Sequence, residues 1–111
     1  MNKYYNKKII IDGIKFDSKK EGHHYLKLKL LEKTGKISEL TLQKSFELQP
    51  KYTNNKGKHI RAITYKADFF YYDHDRKQYI VEDTKGFRTD VYKLKKKMFE
   101  YVYPNLTIEE I

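Results

Sequence analysis

The N-terminal part of the chain alternates between short apolar runs and polar residues in a way that predicts a β-hairpin. Asp12 and Gly13 separate the runs KKIII and IKF, and an Asp-Gly pair in this setting is typical of a two-residue turn that requires positive φ. The hairpin is expected over about residues 7–17, and residues 1–6 before it are expected to be flexible.

A helical repeat of apolar residues follows the hairpin. Leucines and a tyrosine recur near helical spacing between Ser18 and Gly35. Ser18 and Glu21 form an S-x-x-E capping box, and Gly35 is a typical stop signal. The sequence therefore predicts a first helix over about residues 18–34.

The middle of the chain changes to alternating and β-branched patterns. Residues 41–48 alternate in part and predict a strand, whereas residues 53–58, TNNKGK, predict a polar loop. The runs HIRAITYKADFFYY and QYIVEDTK are rich in β-branched and aromatic residues, and DHDRK between them predicts a turn. Three strands in a row with short or moderate connections predict an antiparallel meander.

The pattern becomes helical again in the segment TDVYKLKKKMFEYV. Val91, Leu94, Met98 and Val102 recur at the spacing of one helical face, which predicts a helix, and Pro104 ends it. The closing segment LTIEEI predicts a last strand. The order hairpin, α, β, β, β, α, β predicts an α/β or α+β fold, a mixed sheet flanked by helices.

Length and composition restrict the class of protein. A chain of 111 residues without an internal repeat or linker predicts one domain over residues 1–111. Cysteine is absent, which excludes disulfides and thiolate metal sites. No run approaches the ~18 apolar residues of a membrane span, so we expect a soluble, cytoplasmic protein without a membrane partner. The net charge of +9, from 24 Lys plus Arg against 15 Asp plus Glu, favours a polyanion such as DNA as the partner.

Two aspartates are expected to face each other in the predicted meander. A turn centred between residues 75 and 76 pairs residues whose numbers sum to 151, so Phe70 lies opposite Val81 and Asp68 opposite Asp83. Because side chains alternate, these residues and Lys85 are predicted on one side of the sheet. Facing carboxylates repel, whereas Mg²⁺ or Mn²⁺ between them reverses the sign of the interaction. The pair therefore predicts a metal site.

Two other sets of residues offer alternatives to this site. Glu82 replaces Asp83 if the register slips by one residue, although alternation points Glu82 away from Asp68. The four histidines include no pair at the i, i+4 spacing of a helical zinc site, so we expect them at surface or capping positions.

The carboxylates also carry a family resemblance. The segment ADFFY, followed at hairpin distance by VEDTKG, resembles the PD-(D/E)XK nuclease superfamily, in which Asp68 matches the first acid, Asp83 the second acid and Lys85 the lysine. Ala67 stands where the motif has proline. The segments DGIKFDSKKE and EDTKG are most similar to small phage-encoded members. The resemblance spans about residues 10–110 and implies a restriction-endonuclease-like core, α-β-β-β-α-β, after the hairpin.

The resemblance also implies an activity and roles for further residues. It implies a metal-dependent endonuclease that leaves a 5′-phosphate and a 3′-hydroxyl, with Mg²⁺ (or Mn²⁺) bound by Asp68, Asp83 and the backbone carbonyl of Thr84. Lys85 would orient the attacking water or stabilise charge on the phosphate. Glu21 would point into the site from the first helix, in place of or in addition to its capping role. Gln43 looks like a glutamine found near the site of some relatives.

Basic residues after the site are candidates for DNA contacts. Arg88, Lys93, Lys96 and Lys97 lie on or near the start of the second predicted helix, where they would bind flanking phosphates. The alternative for the lysines is an exposed helix face. Phage relatives point to replication or recombination intermediates in the host cytoplasm, and paired cuts would require a homodimer. Two other interpretations stay open: a non-catalytic nucleic-acid-binding module on the same fold, and a basic structural domain with a chance motif.

Overall fold

The computed structural model describes residues 7–84 and 87–111. The fold is α+β. Two helices, α1 (Lys19–Lys33) and α2 (Asp90–Val102), occur in the described residues. The longer strands are β3 (Ile37–Gln49), β6 (Ile63–Asp73) and β7 (Gln78–Asp83), and the shorter ones are β1 (Ile9–Ile11), β2 (Ile14–Phe16), β4 (Tyr52–Thr53), β5 (His59–Ile60) and β8 (Ile108–Glu110).

Four strands form a mixed sheet in the order β3-β6-β7-β8. The β3–β6 and β6–β7 pairs are antiparallel, whereas β8 returns through α2 and pairs with β7 in parallel. Strands β1 and β2 form the predicted N-terminal hairpin, so the predicted order of elements is confirmed. The predicted polar loop at 53–58 is confirmed apart from Thr53, because residues 54–58 form the turn of a second small hairpin, β4–β5.

The predicted register of the meander is confirmed over five residue pairs. Strands β6 and β7 pair from Phe69 with Glu82 to Asp73 with Gln78, and the numbers of each pair sum to 151. Asp68 and Asp83 are the next residues in this register. They therefore stand where the two strands separate.

The two helices cover opposite faces of the sheet. Ile80 packs in one buried cluster with Leu28 of α1, whereas the next residue, Val81, packs in the other cluster with Phe99 of α2. Consecutive residues of a strand point to opposite faces, so the sheet separates an α1 core from an α2 core.

The buried residues of β6 lie on one face of the sheet before Asp68 and on the other face after it. Tyr65 and Ala67 belong to the α2 core, whereas Phe69 and Tyr71, at the same parity, belong to the α1 core. Strict alternation would place all four on one face. The exchange of faces is therefore centred on Asp68.

Strand β3 changes face at the residue that lies beside Asp68. Leu42 packs against the α1 core, whereas Phe46 belongs to the α2 core. Between them Gln43 has a φ of 55°, the left-handed region that interrupts regular strand geometry. The two neighbouring strands thus change face in the same row.

The predicted second helix is confirmed, but the aliphatic residues whose spacing predicts it are not its most buried residues. Tyr92 and Phe99 are its buried residues, whereas Val91 and Leu94 are 62% and 59% exposed. The rings of Tyr92 and Phe99 lie on a different face of α2 from the aliphatic residues, and they bury more apolar surface than the aliphatic residues would. Val91 and Leu94 consequently face solvent.

Candidate active site

The start of α1 brings a carboxylate to the edge of the sheet. Ser18 is the N-cap, and its Oγ accepts a hydrogen bond from the Glu21 backbone N–H at 3.1 Å, so the predicted cap is confirmed. The Glu21 carboxylate accepts a hydrogen bond from the backbone N–H of Asp17. The side chain is 6% exposed, because the N-terminal hairpin lies beside this turn of the helix.

A concavity at this edge joins three residues that the sequence singled out. Glu21 from α1, Gln43 from β3 and Asp68 from β6 all line it. The change of face at Gln43 and Asp68 turns both residues toward α1. The remaining lining residues are Ile14, Lys15, Phe16, Asp17 and Leu42.

The Asp68 carboxylate is held by neighbours on both sides. Its Oδ1 accepts a hydrogen bond from Gln43 Nε2 at 3.3 Å. Its Oδ2 accepts from the Thr84 backbone N–H at 2.8 Å and from Thr84 Oγ1 at 2.7 Å. Thr84 thus contacts the site as a donor to Asp68, and the proposed metal contact through its carbonyl stays a prediction.

Asp83, the second acid of the predicted site, is engaged on the α2 side of the sheet. Its side chain is fully buried, and Oδ2 accepts a hydrogen bond from the Tyr65 hydroxyl at 2.5 Å in the α2 core. Burial and this carboxylate raise the pKa of Tyr65, so the hydroxyl stays a neutral donor. Strand β6 changes face at Asp68 while β7 continues to alternate, and a cation shared by Asp68 and Asp83 stays a prediction.

The charges of neighbouring carboxylates affect the protonation of Glu21. Burial, together with the negative charges of Asp68, Asp17 and Asp83, raises the pKa of Glu21 to about 7. At neutral pH Glu21 is therefore poised to take up or release a proton.

The side chains at this site belong to the chemical type that binds a hard divalent cation. Carboxylate oxygens are the ligands that Mg²⁺ and Mn²⁺ prefer, and mutual repulsion among Glu21, Asp68 and Asp83 is what a bound cation would relieve. In the described ranges, 7–84 and 87–111, no three His, Asp or Glu side chains are grouped so that they could hold a metal ion by themselves. A cation here would use fewer protein carboxylates, completed by water.

Glu82 lies on the opposite face of β7 from Asp83, as alternation predicted. Its carboxylate is 6% exposed and contacts His24 Nε2 and the Tyr71 hydroxyl, each at 2.7 Å. His24 is therefore not at the surface as expected, but pairs with a buried carboxylate. The sequence analysis missed Tyr65, Tyr71 and His24, and the only available signal was that buried carboxylates require donors.

The whole chain, residues 1–111, matches a family model described as a protein of unknown function (DUF1064). The chain belongs to this family. Comparisons with curated proteins and with solved structures gave no match.

In this DUF1064 protein, the four basic residues that were predicted to bind DNA divide into two groups. Arg88 donates to Glu110 Oε1 at 2.7 Å through Nε, and Lys96 Nζ lies 3.4 Å from Glu110 Oε2. The Arg88 and Tyr92 hydrogen bonds lower the pKa of Glu110 to about 2. Lys93 and Lys97 are exposed, and neither makes an ion pair within the described parts of the chain.

Two further expectations for the DUF1064 chain meet the limits of the described residues. Lys85, the predicted catalytic lysine, and the segment 1–6 lie outside them. Among the residues that are described, no helix has the length and apolar character to cross a membrane.

Proposed function

We propose that this protein is a metal-dependent endonuclease that hydrolyses phosphodiester bonds in DNA. The observation that carries the proposal is the concavity in which Glu21 and Asp68 meet, beside the buried Asp83. Carboxylates grouped in the sheet repel each other, and in a chain of net charge +9 a function is the reason to keep them together. The resemblance to small phage-encoded nucleases suggests replication or recombination intermediates as substrates.

The chain would bind Mg²⁺ or Mn²⁺ through Asp68 and Asp83. When bound, the ion would polarise the phosphoryl oxygen and lower the pKa of a water molecule. Thr84 and Gln43 fix the orientation of Asp68 through three hydrogen bonds. Tyr65 fixes Asp83 through one. The acids are thus held by neighbours that do not themselves react.

Glu21 would act on the attacking water. A pKa of about 7 suits a general base at neutral pH, because both protonation states are populated. Lys85, two residues after Asp83, would stabilise charge on the phosphate. No covalent nucleophile is required for this hydrolysis.

One observation favours a non-catalytic nucleic-acid-binding module as the second candidate. Asp83 is engaged by Tyr65 in the α2 core, away from the concavity that Asp68 lines. If Asp83 were to stay committed to the α2 core with DNA bound, Asp68 would lack the second acid that the nuclease mechanism requires. Such a module would bind DNA equally well with and without a divalent metal.

The test uses labelled linear duplex, single-stranded, flap and four-way-junction DNA, with matching RNA substrates. Each is incubated with the wild type and with Asp68→Asn, Asp83→Asn and Lys85→Ala in Mg²⁺, Mn²⁺ or EDTA. Asp75→Asn, in the exposed turn before β7, is the matched control. Metal-dependent cleavage that the control retains and the three variants lose supports the nuclease. Binding of DNA without cleavage of any substrate would instead support the module.

A further inference from the structure

The β4–β5 hairpin is an extension of the β3–β6 ribbon beyond the sheet. Gln49 pairs with Ile63, Tyr52 with Ile60 and Thr53 with His59, and the residue numbers of each pair sum to 112, so one register runs through both ladders. Strand β7 pairs with β6 only from Phe69 onward. Among the described residues no third strand pairs with the ribbon before that point, and β4–β5 extends past the sheet as an arm.

This arm carries only positive charge. Residues 48–67 contain no aspartate or glutamate, and their basic residues are Lys51, Lys56, Lys58, Arg61 and Lys66. All five are exposed, and none makes an ion pair with any described residue. Cations of like charge on one hairpin repel each other unless a polyanion neutralises them.

The tip of the arm is held in one conformation. Asn54 Oδ1 accepts hydrogen bonds from the backbone N–H groups of Lys56 and Lys58 at 2.9 and 3.0 Å. Gly57 supplies the positive φ of 80° that the turn needs. The lysines at the tip are thus attached to an ordered turn, which lowers the entropy lost when they bind a partner.

A groove runs along the arm beside these cations. It is lined by Tyr52, which is 50% exposed, together with Thr53 and Ile60 and the basic side chains of Lys51, His59 and Arg61. An exposed aromatic ring among cations suits a sugar-phosphate backbone, because the ring adds apolar contact where the cations bind phosphate. A two-stranded ribbon also has the width to enter a major groove.

We propose that the β4–β5 arm is a second DNA-binding element, which contacts backbone phosphates away from the candidate active site. At a rise of about 3.3 Å per residue, the strand from Asp68 back to the arm spans roughly 17 Å at Ile63 and about 30 Å at His59. A full duplex turn is about 34 Å. The arm contacts phosphates between about half a turn and one turn from the phosphate at Asp68. This inference rests on the DNA substrate of the proposed function.

The test compares two charge-matched variants in EDTA, where no cleavage occurs. The arm variant is Lys56→Gln/Lys58→Gln/Arg61→Gln, and the control is Lys27→Gln/Lys33→Gln/Lys36→Gln, at exposed positions of α1 and the turn after it. Each triple lowers the net charge from +9 by three. Fluorescence anisotropy with a labelled duplex of about 25 base pairs gives Kd over a series of salt concentrations.

The arm variant is expected to bind about tenfold more weakly, with a slope of log Kd against log salt that is smaller by two to three, since each lost phosphate contact removes about 0.9. The control should keep the wild-type slope within about one. Equal losses in both triples, or a wild type that does not bind duplex DNA, would overturn the proposal. Thermal melting checks folding, and Lys56→Gln/Lys58→Gln, which changes only the turn, serves if the triple is unfolded.

Failure of this inference is separable from failure of the nuclease. Binding that depends on the arm, without cleavage in Mg²⁺, would retain the arm and reject the nuclease. Cleavage in Mg²⁺ with equal binding by both triples would reject the arm alone.

Discussion

Glu21 makes the stability of the protein depend on pH in a particular direction. Its pKa is about 7 in the folded chain and 4.5 in the reference state, so between these values the folded state holds more protons than the unfolded state. The free energy of unfolding therefore falls as pH rises from about 4.5 to 7, by on the order of 2 kcal/mol from this group.

Glu21→Gln should remove this dependence. The amide keeps the size of the side chain but does not ionise, so we expect the variant to be more stable than the wild type above pH 7 in EDTA. Urea unfolding between pH 4 and 8 measures the difference between the two proteins, which cancels the titration of all other groups. Parallel curves across this window would show that Glu21 does not titrate as described.

Tyr65→Phe should destabilise the fold through Asp83. The substitution removes the hydroxyl that donates to a fully buried carboxylate, and loss of a hydrogen bond to a charged group costs about 1.5–3 kcal/mol. Tyr52→Phe, at an exposed ring, is the control and should change stability by less than about 0.5 kcal/mol. Chemical denaturation of both variants checks this, and equal effects would exclude a special role for the Tyr65 hydroxyl.

At the scale of elements, the two sides of α2 should respond to substitution in the order of their burial. Phe99→Ala opens a cavity in the α2 core and is expected to cost about 3–5 kcal/mol. Leu94→Ala removes an exposed side chain and should cost less than about 0.5 kcal/mol. Thermal melts of both variants measure this. A larger cost for Leu94→Ala than for Phe99→Ala would show that the aliphatic face of α2 is buried, either in the fold or under a partner.

The elements of the fold could be predicted where one local signal decides them. The Asp12-Gly13 turn, the Ser18 cap and the register across the turn at residues 75 and 76 were all correct, because turn chemistry and alternation act over a few residues. The buried face of α2 did not follow from its aliphatic spacing, because aliphatic and aromatic residues compete for the same core.

The arrangement of the site was less accessible to prediction. The sequence identified Asp68, Glu21 and Gln43, and the concavity brings them together. It did not reveal that β3 and β6 exchange faces at Gln43 and Asp68, because a positive φ at a glutamine such as Gln43 leaves no sequence signal. Only the packing of both strands shows where the faces exchange.

At the scale of the whole molecule, a bound cation should stabilise the fold. An ion present at about 100 times its dissociation constant adds about 2.7 kcal/mol, which corresponds to a rise in Tm of about 10 °C for a chain of this size. We expect Mg²⁺ or Mn²⁺ to raise the Tm of the wild type and of Asp75→Asn, but not that of Asp68→Asn. An equal rise in all three proteins would indicate cation binding elsewhere on the surface.

The exchange of faces at Asp68 also has a consequence for comparisons among DUF1064 sequences. Positions 65 and 67 neighbour α2, whereas positions 69 and 71 neighbour α1. In an alignment of the family, substitutions on either side of position 68 should therefore covary with different helices, although all four positions have the same parity. An insertion of one residue in β6 would be accepted only if β3 compensated beside position 43, so the two strands should have changed length together during evolution.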